Sequence, residues 1–345
     1  MIKEWNFLRV LACLSIVFLH STTNMGQVKG HPDIEIYHFL RALLCYATPT
    51  FIIISEMILS HRYQEKLPND FWNKRIKYIY CPFVVFAIID AFVTISLSPN
   101  QHLLRKMADN IFLGSYSGWF VLVIIQFYLL HLFVIKFKVS MRFLLPISFI
   151  IMVIHLLIIN SDLAFVRTYK PYLHIPFTAW FGYFTLAYVL GKNYGQFREK
   201  LLTNRWPLLI GTIFAFGILY FGFFIVGDSA VNSRRIDLFP FVIMFSLSIL
   251  AWGQYIKNFR IITFFNNYSF GIYLVHWQVQ RLIAPHVAEL FSRTHMQVVF
   301  LFITSLIVSL LLIKIISMLP FGAYIVGKTK KNHKKNNLAF GELAS

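Results

Sequence analysis

The sequence predicts an all-α, polytopic membrane protein of about ten transmembrane helices with both termini cytoplasmic. Three observations predict it. Of 345 residues, 58% are hydrophobic and 13% charged, and mean hydropathy is +0.65, outside the range of soluble domains. The apolar residues come in runs of about twenty, the length that crosses a hydrocarbon core. The basic residues behind the net charge of +18 crowd between the runs, as in cytoplasmic loops beside anionic lipid. That placement makes the charge a membrane feature, and no nucleic-acid partner is expected.

The first run, 5–23, contains RVLACLSIVFLH. Lys3 ahead of it resembles a secretory signal, but Arg9 interrupts the apolar region and no small-x-small cleavage site follows His20, so the run is read as a retained span. The second, 38–60, leads into a basic segment with Arg62, Lys66, Lys74, Arg75 and Lys77. Runs 77–97, 119–136, 143–160, 174–191, 207–226, 238–256, 268–287 and 297–319 follow. The segments 136–142 and 192–205 are again basic and are read as cytoplasmic. The stretches 22–37, 98–118, 161–173 and 227–237 are short external loops. One membrane domain over 1–325 is expected, then a basic cytoplasmic tail over 326–345 that is disordered and apposed to the membrane.

Cys13, Cys45 and Cys81 lie in or beside apolar runs without CxxC spacing, so they read as packing residues, and no metal site is expected. No GxSxG, HExxH, GxxxxGK[ST] or dinucleotide fingerprint occurs. Any chemistry must be built from span residues.

Ionisable groups in spans are expensive, about 2.5 to 3.5 kcal/mol for Arg, Lys or Asp at a helix centre, and they face the bundle interior. The candidates are Arg9, His20, Arg41, Glu56, Asp90, His131, His155 and His276. Eleven helical steps between Arg9 and His20 leave about 20° of angular offset over roughly 16 Å of rise. Both therefore point along one face, and a single interior groove would hold an anionic ligand near Arg9 and a hydroxyl near His20. A snorkelling arginine and an interfacial histidine are the plain alternative. Glu56 reaches the depth of Arg9 on the returning helix, where an ion pair would offset both desolvation costs. Asp90 would orient His20 or pair with Arg41. Ser269, Tyr273, His276 and Gln280 form one polar stripe on the ninth span, either as hydrogen-bonding glue between helices or as part of a site.

The Arg9–His20 pair, KRIKYIYCPF opening the third span, GWF opening the fourth and YSFGIYLVHW late in the chain together resemble the acyltransferase-3 family of integral membrane acyltransferases. The resemblance implies transfer of an acyl group, usually acetyl, from cytoplasmic acyl-CoA to a hydroxyl of a cell-envelope or exported glycan. It implies a multi-pass protein of the bacterial plasma membrane with acyl-CoA as co-substrate and no bound cofactor. His20 matches the family's essential first-span histidine and Arg9 its essential arginine, while Glu56, Tyr273 and His276 are supporting candidates from their own positions in the spans. Glu56 stands where a glycine is common, and the hydrolase-like domain of many members has no counterpart, so the likeness is to the domain-free branch associated with exopolysaccharide modification.

On that reading His20 is the general base, or forms an acyl-imidazole. Arg9 holds a phosphate or carbonyl of the acyl-CoA, and Lys74, Arg75 and Lys77 gather its nucleotide phosphates. The rival is an exporter or flippase for a polysaccharide or lipid-linked glycan, with Arg9, His20 and Glu56 as a relay.

Overall fold

The computed structural model describes residues 2–99, 101–257 and 259–329. Most of the expected tail, 330–345, lies outside the described residues. The described residues form helices and turns, with no strand. In chain order the helices are α1 (Lys3–Lys29), α2 (Glu35–Leu44), α3 (Ala47–Arg62), α4 (Phe71–Arg75), α5 (Cys81–Leu97), α6 (Leu103–Leu113), α7 (Phe120–Lys136) and α8 (Met141–Ile159). Then follow α9 (Ala164–Tyr169), α10 (Phe181–Lys192), α11 (Tyr194–Thr203), α12 (Arg205–Phe224), α13 (Leu238–Trp252), α14 (Arg260–Leu290), α15 (Thr294–Met318) and α16 (Ala323–Val326).

The apolar runs fall on these helices, yet length and apolarity single out six membrane-crossing candidates among the described residues, not ten. They are Lys3–Lys29, Glu35–Arg62, Phe71–Leu97, Met141–Ile159, Arg205–Phe224 and Thr294–Met318. The reason is physical. Helices α7, α10 and α13 are short, of 17, 12 and 15 residues, and the long α14 carries Asn266, His276, Gln278, Gln280 and Arg281. The chain is a multi-pass helical membrane protein.

Helix α1 is central: it packs most extensively on α14 and also meets α3, α15 and α13. Peripheral helices show the opposite pattern. Helix α8 exposes Phe143, Ile150, Ile154 and Leu157, and α12 exposes Ile210, Ile213 and Phe214, apolar faces suited to lipid. Helices α3 and α10 cross so closely that a Cβ on Gly191 would overlap the Met57 carbonyl and the Ser60 hydroxyl, the small-residue packing that membrane helices favour.

Gln280 knits three helices. Its Nε2 donates to the Val17 carbonyl at 2.9 Å, Ser21 Oγ at 2.8 Å and Ser305 Oγ at 3.1 Å, while its Oε1 accepts from Asn24 Nδ2 at 3.2 Å. Here the polar stripe is glue. A π-helical turn, Ile76–Tyr80, joins α4 to α5. Its extra residue per turn rotates the KRIKYIY segment relative to a regular helix, and Arg75, Tyr78 and Ile79 all face one cavity beside α1.

Candidate active site

Four residues of the α14 stripe meet α1 or its surroundings, and the central pair is His20 with His276. His20 Nδ1 lies 2.8 Å from His276 Nε2, and His276 Nδ1 lies 2.7 Å from the Ile272 carbonyl oxygen. A carbonyl only accepts, so His276 carries its proton on Nδ1 and its Nε2 accepts. His20 therefore donates from Nδ1, and its Nε2 keeps a lone pair. That nitrogen has no protein partner among the described residues, and His20 lines two cavities. The neighbouring Trp277 ring stands edge-on to it at 4.9 Å.

The larger cavity, about 550 Å³, is bounded by His20, Trp277, Trp119, Tyr116, Ser117 and Tyr172, with Asp90, Lys106 and Arg281 on its wall. Asp90 is buried and fully engaged: Arg281 Nη1 and Gln278 Nε2 each donate at 3.1 Å, and Asn110 Nδ2 at 3.0 Å. The expected pairing of Asp90 with His20 or Arg41 is thus replaced by an ion pair with Arg281. The signal for it was present, since Arg281 lies inside the apolar run 268–287. Burial lowers the pKa of the Lys106 ammonium, partly countered by Asp90, and its Nζ donates to the Ser115 carbonyl at 2.8 Å. The Ser117 hydroxyl is buried without a hydrogen-bond partner among the described residues.

At the other end of the same α1 face, Arg9 lines a cavity of about 290 Å³ with Ser55, Arg75, Tyr78, Ser269 and Lys328. Arg9 Nη1 donates to Asn266 Oδ1 at 3.2 Å. The expected ion pair with Glu56 is absent: Glu56 Oε1 meets His131 Nδ1 at 2.8 Å, while His131 Nε2 donates to the Tyr63 carbonyl at 2.9 Å. Helix periodicity fixed the depth of Glu56 but not its neighbour, because that side of α3 faces α7 while Arg9 faces α14. Of the basic segment, Arg75 reaches the cavity, its guanidinium 4.9 Å from both the Phe71 and Tyr128 ring centroids. Lys74 is exposed and paired with Asp70, and exposed Lys77 does not line the cavity. Lys328, from beyond the last long helix, was not foreseen; its Nζ lies 5.5 Å from the Tyr78 ring centroid.

The expected single groove is interrupted. Tyr273, Phe51 and Phe120 line the Arg9 cavity and pack mutually, with centroids 5.9 to 6.4 Å apart. Tyr273 Oη donates to the Ser117 carbonyl at 2.7 Å, and its ring lies 6.3 Å from that of His276. Tyr273 thus stands in an aromatic septum between the cation cluster and the imidazole pair. Among the described residues no cluster of three His, Cys, Asp or Glu side chains is arranged to hold a metal.

A family model described as an acyltransferase domain matches residues 2–314. The chain belongs to the acyltransferase-3 family. It is 32% identical over 292 residues to a Bacillus subtilis protein named as the membrane-bound acyltransferase YfiQ, covering 80% of each chain. It is 27% identical over 290 residues to a Staphylococcus aureus protein named as a poly-beta-1,6-N-acetyl-D-glucosamine export protein, covering 79% of this chain and 81% of that one. A Staphylococcus epidermidis protein of the same name is 25% identical over 288 residues. No solved structure gives a significant match. Membership makes this acyltransferase-3 protein a membrane-bound acyltransferase.

Proposed function

We propose that the protein transfers an acyl group, acetyl in the simplest case, from cytoplasmic acyl-CoA to a hydroxyl of a cell-envelope or exported glycan at the outer face of a bacterial plasma membrane. In this reading the N-terminus is cytoplasmic, as the basic segments between the apolar runs suggest, so that the Arg9 cavity opens to the cytoplasmic side and His20 to the outer side. The observation that carries the reading is the His20–His276 pair, which leaves His20 Nε2 as a base facing two cavities, on the same helix face as a cationic pocket.

In this mechanism Arg9, Arg75 and Lys328 hold phosphate or carbonyl oxygens of the donor. The pantetheine arm passes the septum as the Phe51, Phe120 and Tyr273 rings swing aside. His20 Nε2 takes the proton of the acceptor hydroxyl, whose oxygen attacks the thioester carbonyl. The Ser117 hydroxyl donates to the oxyanion. Collapse breaks the C–S bond and the proton passes from His20 to the departing CoA thiolate. His276 Nε2 accepts the hydrogen bond from His20 Nδ1–H throughout and so steadies the imidazolium.

The test is reconstitution in liposomes with labelled acetyl-CoA and glycan acceptors, comparing wild type with His20→Ala. Transfer in the wild type and none in a stably folded His20→Ala protein is the expected result. Retained transfer removes His20 from the mechanism. The name of the staphylococcal relatives favours a second reading, glycan export. Thioester cleavage by the purified protein separates the two, because an exporter has no use for it.

A further inference from the structure

We propose that the second cavity beside His20 is an anion-binding site, taking a phosphate or carboxylate carried by one of the two reactants; the inference rests on the acyl-transfer reading above. This cavity, about 350 Å³, is walled by Arg41, Arg234, Asn232 and Ser233 and shares His20 and Trp277 with the larger one. No Asp or Glu lines it.

Two other arginines near this end of the molecule have acidic partners: Arg235 pairs with Asp237 and Asp228, and Arg281 with Asp90. Arg41 and Arg234 have none among the described residues. Arg41 is only 8% exposed, and its contacts are hydroxyls and a ring: Nε to Thr22 Oγ1 at 3.0 Å, Nη2 to Thr23 Oγ1 at 3.4 Å, and the Tyr37 centroid at 5.8 Å. Arg234 Nη1 is buried with no hydrogen-bond partner among the described residues. A buried guanidinium beside a second, half-buried one in the same cavity is unfavourable unless an anion compensates them. Their planar donor forks match phosphate and carboxylate oxygens.

The larger cavity offers no counterweight, because its lone carboxylate, Asp90, already serves Arg281 while Lys106 adds another cation. The two cavities therefore favour an anionic reactant and disfavour a cationic, de-N-acetylated amino-sugar polymer. The anion has two sources: a phosphate or carboxylate on the acceptor glycan, or a free carboxylate at the far end of a dicarboxylic acyl chain.

The experiment uses the full chain in nanodiscs and follows tryptophan fluorescence, since Trp119, Trp180 and Trp277 all line the cavity. The probes are oligo(glycerol phosphate), succinate, and neutral and de-N-acetylated chito-oligosaccharides. Oligo(glycerol phosphate) binding at least about tenfold tighter than the neutral oligomer, and weakened about tenfold by Arg234→Gln or Arg41→Gln, supports the site with the acceptor as source. Binding of succinate alone, equally sensitive to both variants, supports it with the acyl chain as source. No binding of either anion, or binding indifferent to both variants, overturns it. Arg234→Gln is the variant that decides if Arg41→Gln fails to fold. Release of CoA thiol, assayed in parallel, reports on the transfer reading alone, so the two failures are distinguishable.

Discussion

At the scale of single residues, the tautomer chain from the Ile272 carbonyl through His276 to His20 makes the sharpest claims. His276→Ala leaves His20 free to rotate and to protonate on either nitrogen. We expect kcat to fall about a hundredfold or more with little change in KM for the acceptor, measured by steady-state transfer. Arg9→Lys is expected to lose most activity as well, because a point charge does not reproduce a planar two-pronged donor; near-normal turnover would make Arg9 a generic cation. Asp90→Asn strands Arg281 without its counter-ion and should lower stability by about 2 to 4 kcal/mol in a detergent melt. Adding Arg281→Met should recover part of that loss. The Arg9–His20 alignment was legible in the sequence because helical periodicity alone sets it. The partners of Glu56 and Asp90 were not, because periodicity reports depth and face but never which neighbouring helix the face will meet.

At the scale of elements, the α3–α10 crossing and the π-helical turn do most to place the site. Gly191→Val drives a branched side chain into the Met57 backbone, a clash that costs about 1 to 3 kcal/mol on usual overpacking values. Loss of folded protein on size-exclusion chromatography would register it, and an unchanged melting profile would show that the helices can separate. The runs that read as spans were legible as apolar segments, but where several of them break was not. Residues 38–60 fall on two helices, α2 and α3, with a break at Cys45 and Tyr46, and 174–191 begins in a loop. Hydropathy averages over such breaks. The π-helical turn was equally hidden, since nothing in KRIKYIY distinguishes it from a regular helix, and it is what brings Arg75 and Tyr78 round to Arg9.

At the scale of the whole molecule, the orientation is open to a direct test. Arg105→Cys, in α6, should react with a membrane-impermeant maleimide from outside intact cells, whereas Lys138→Cys, after α7, should react only once the cells are permeabilised. Cys13 and Cys45 are buried, and the partly exposed Cys81 is replaced by serine for the assay to remove background labelling. The reverse labelling pattern would invert the molecule and exchange the two ends of the reaction. The family and its helical membrane architecture were legible across nearly the whole chain. The contribution of Lys328, packed beside a helix turn some 250 residues away in sequence, is a product of tertiary closure alone.

The septum of Phe51, Phe120 and Tyr273 has one more consequence. If the proposed transfer runs between two aqueous compartments, the path it needs must not become a hole for protons. Three mutually packed rings, tilted or edge-on to one another, would on the proposed transfer serve as a stopper that opens for the thioester arm and closes behind it. Replacing Phe120 and Tyr273 together with alanine should leave liposomes unable to hold a pH difference, whether or not any substrate is present.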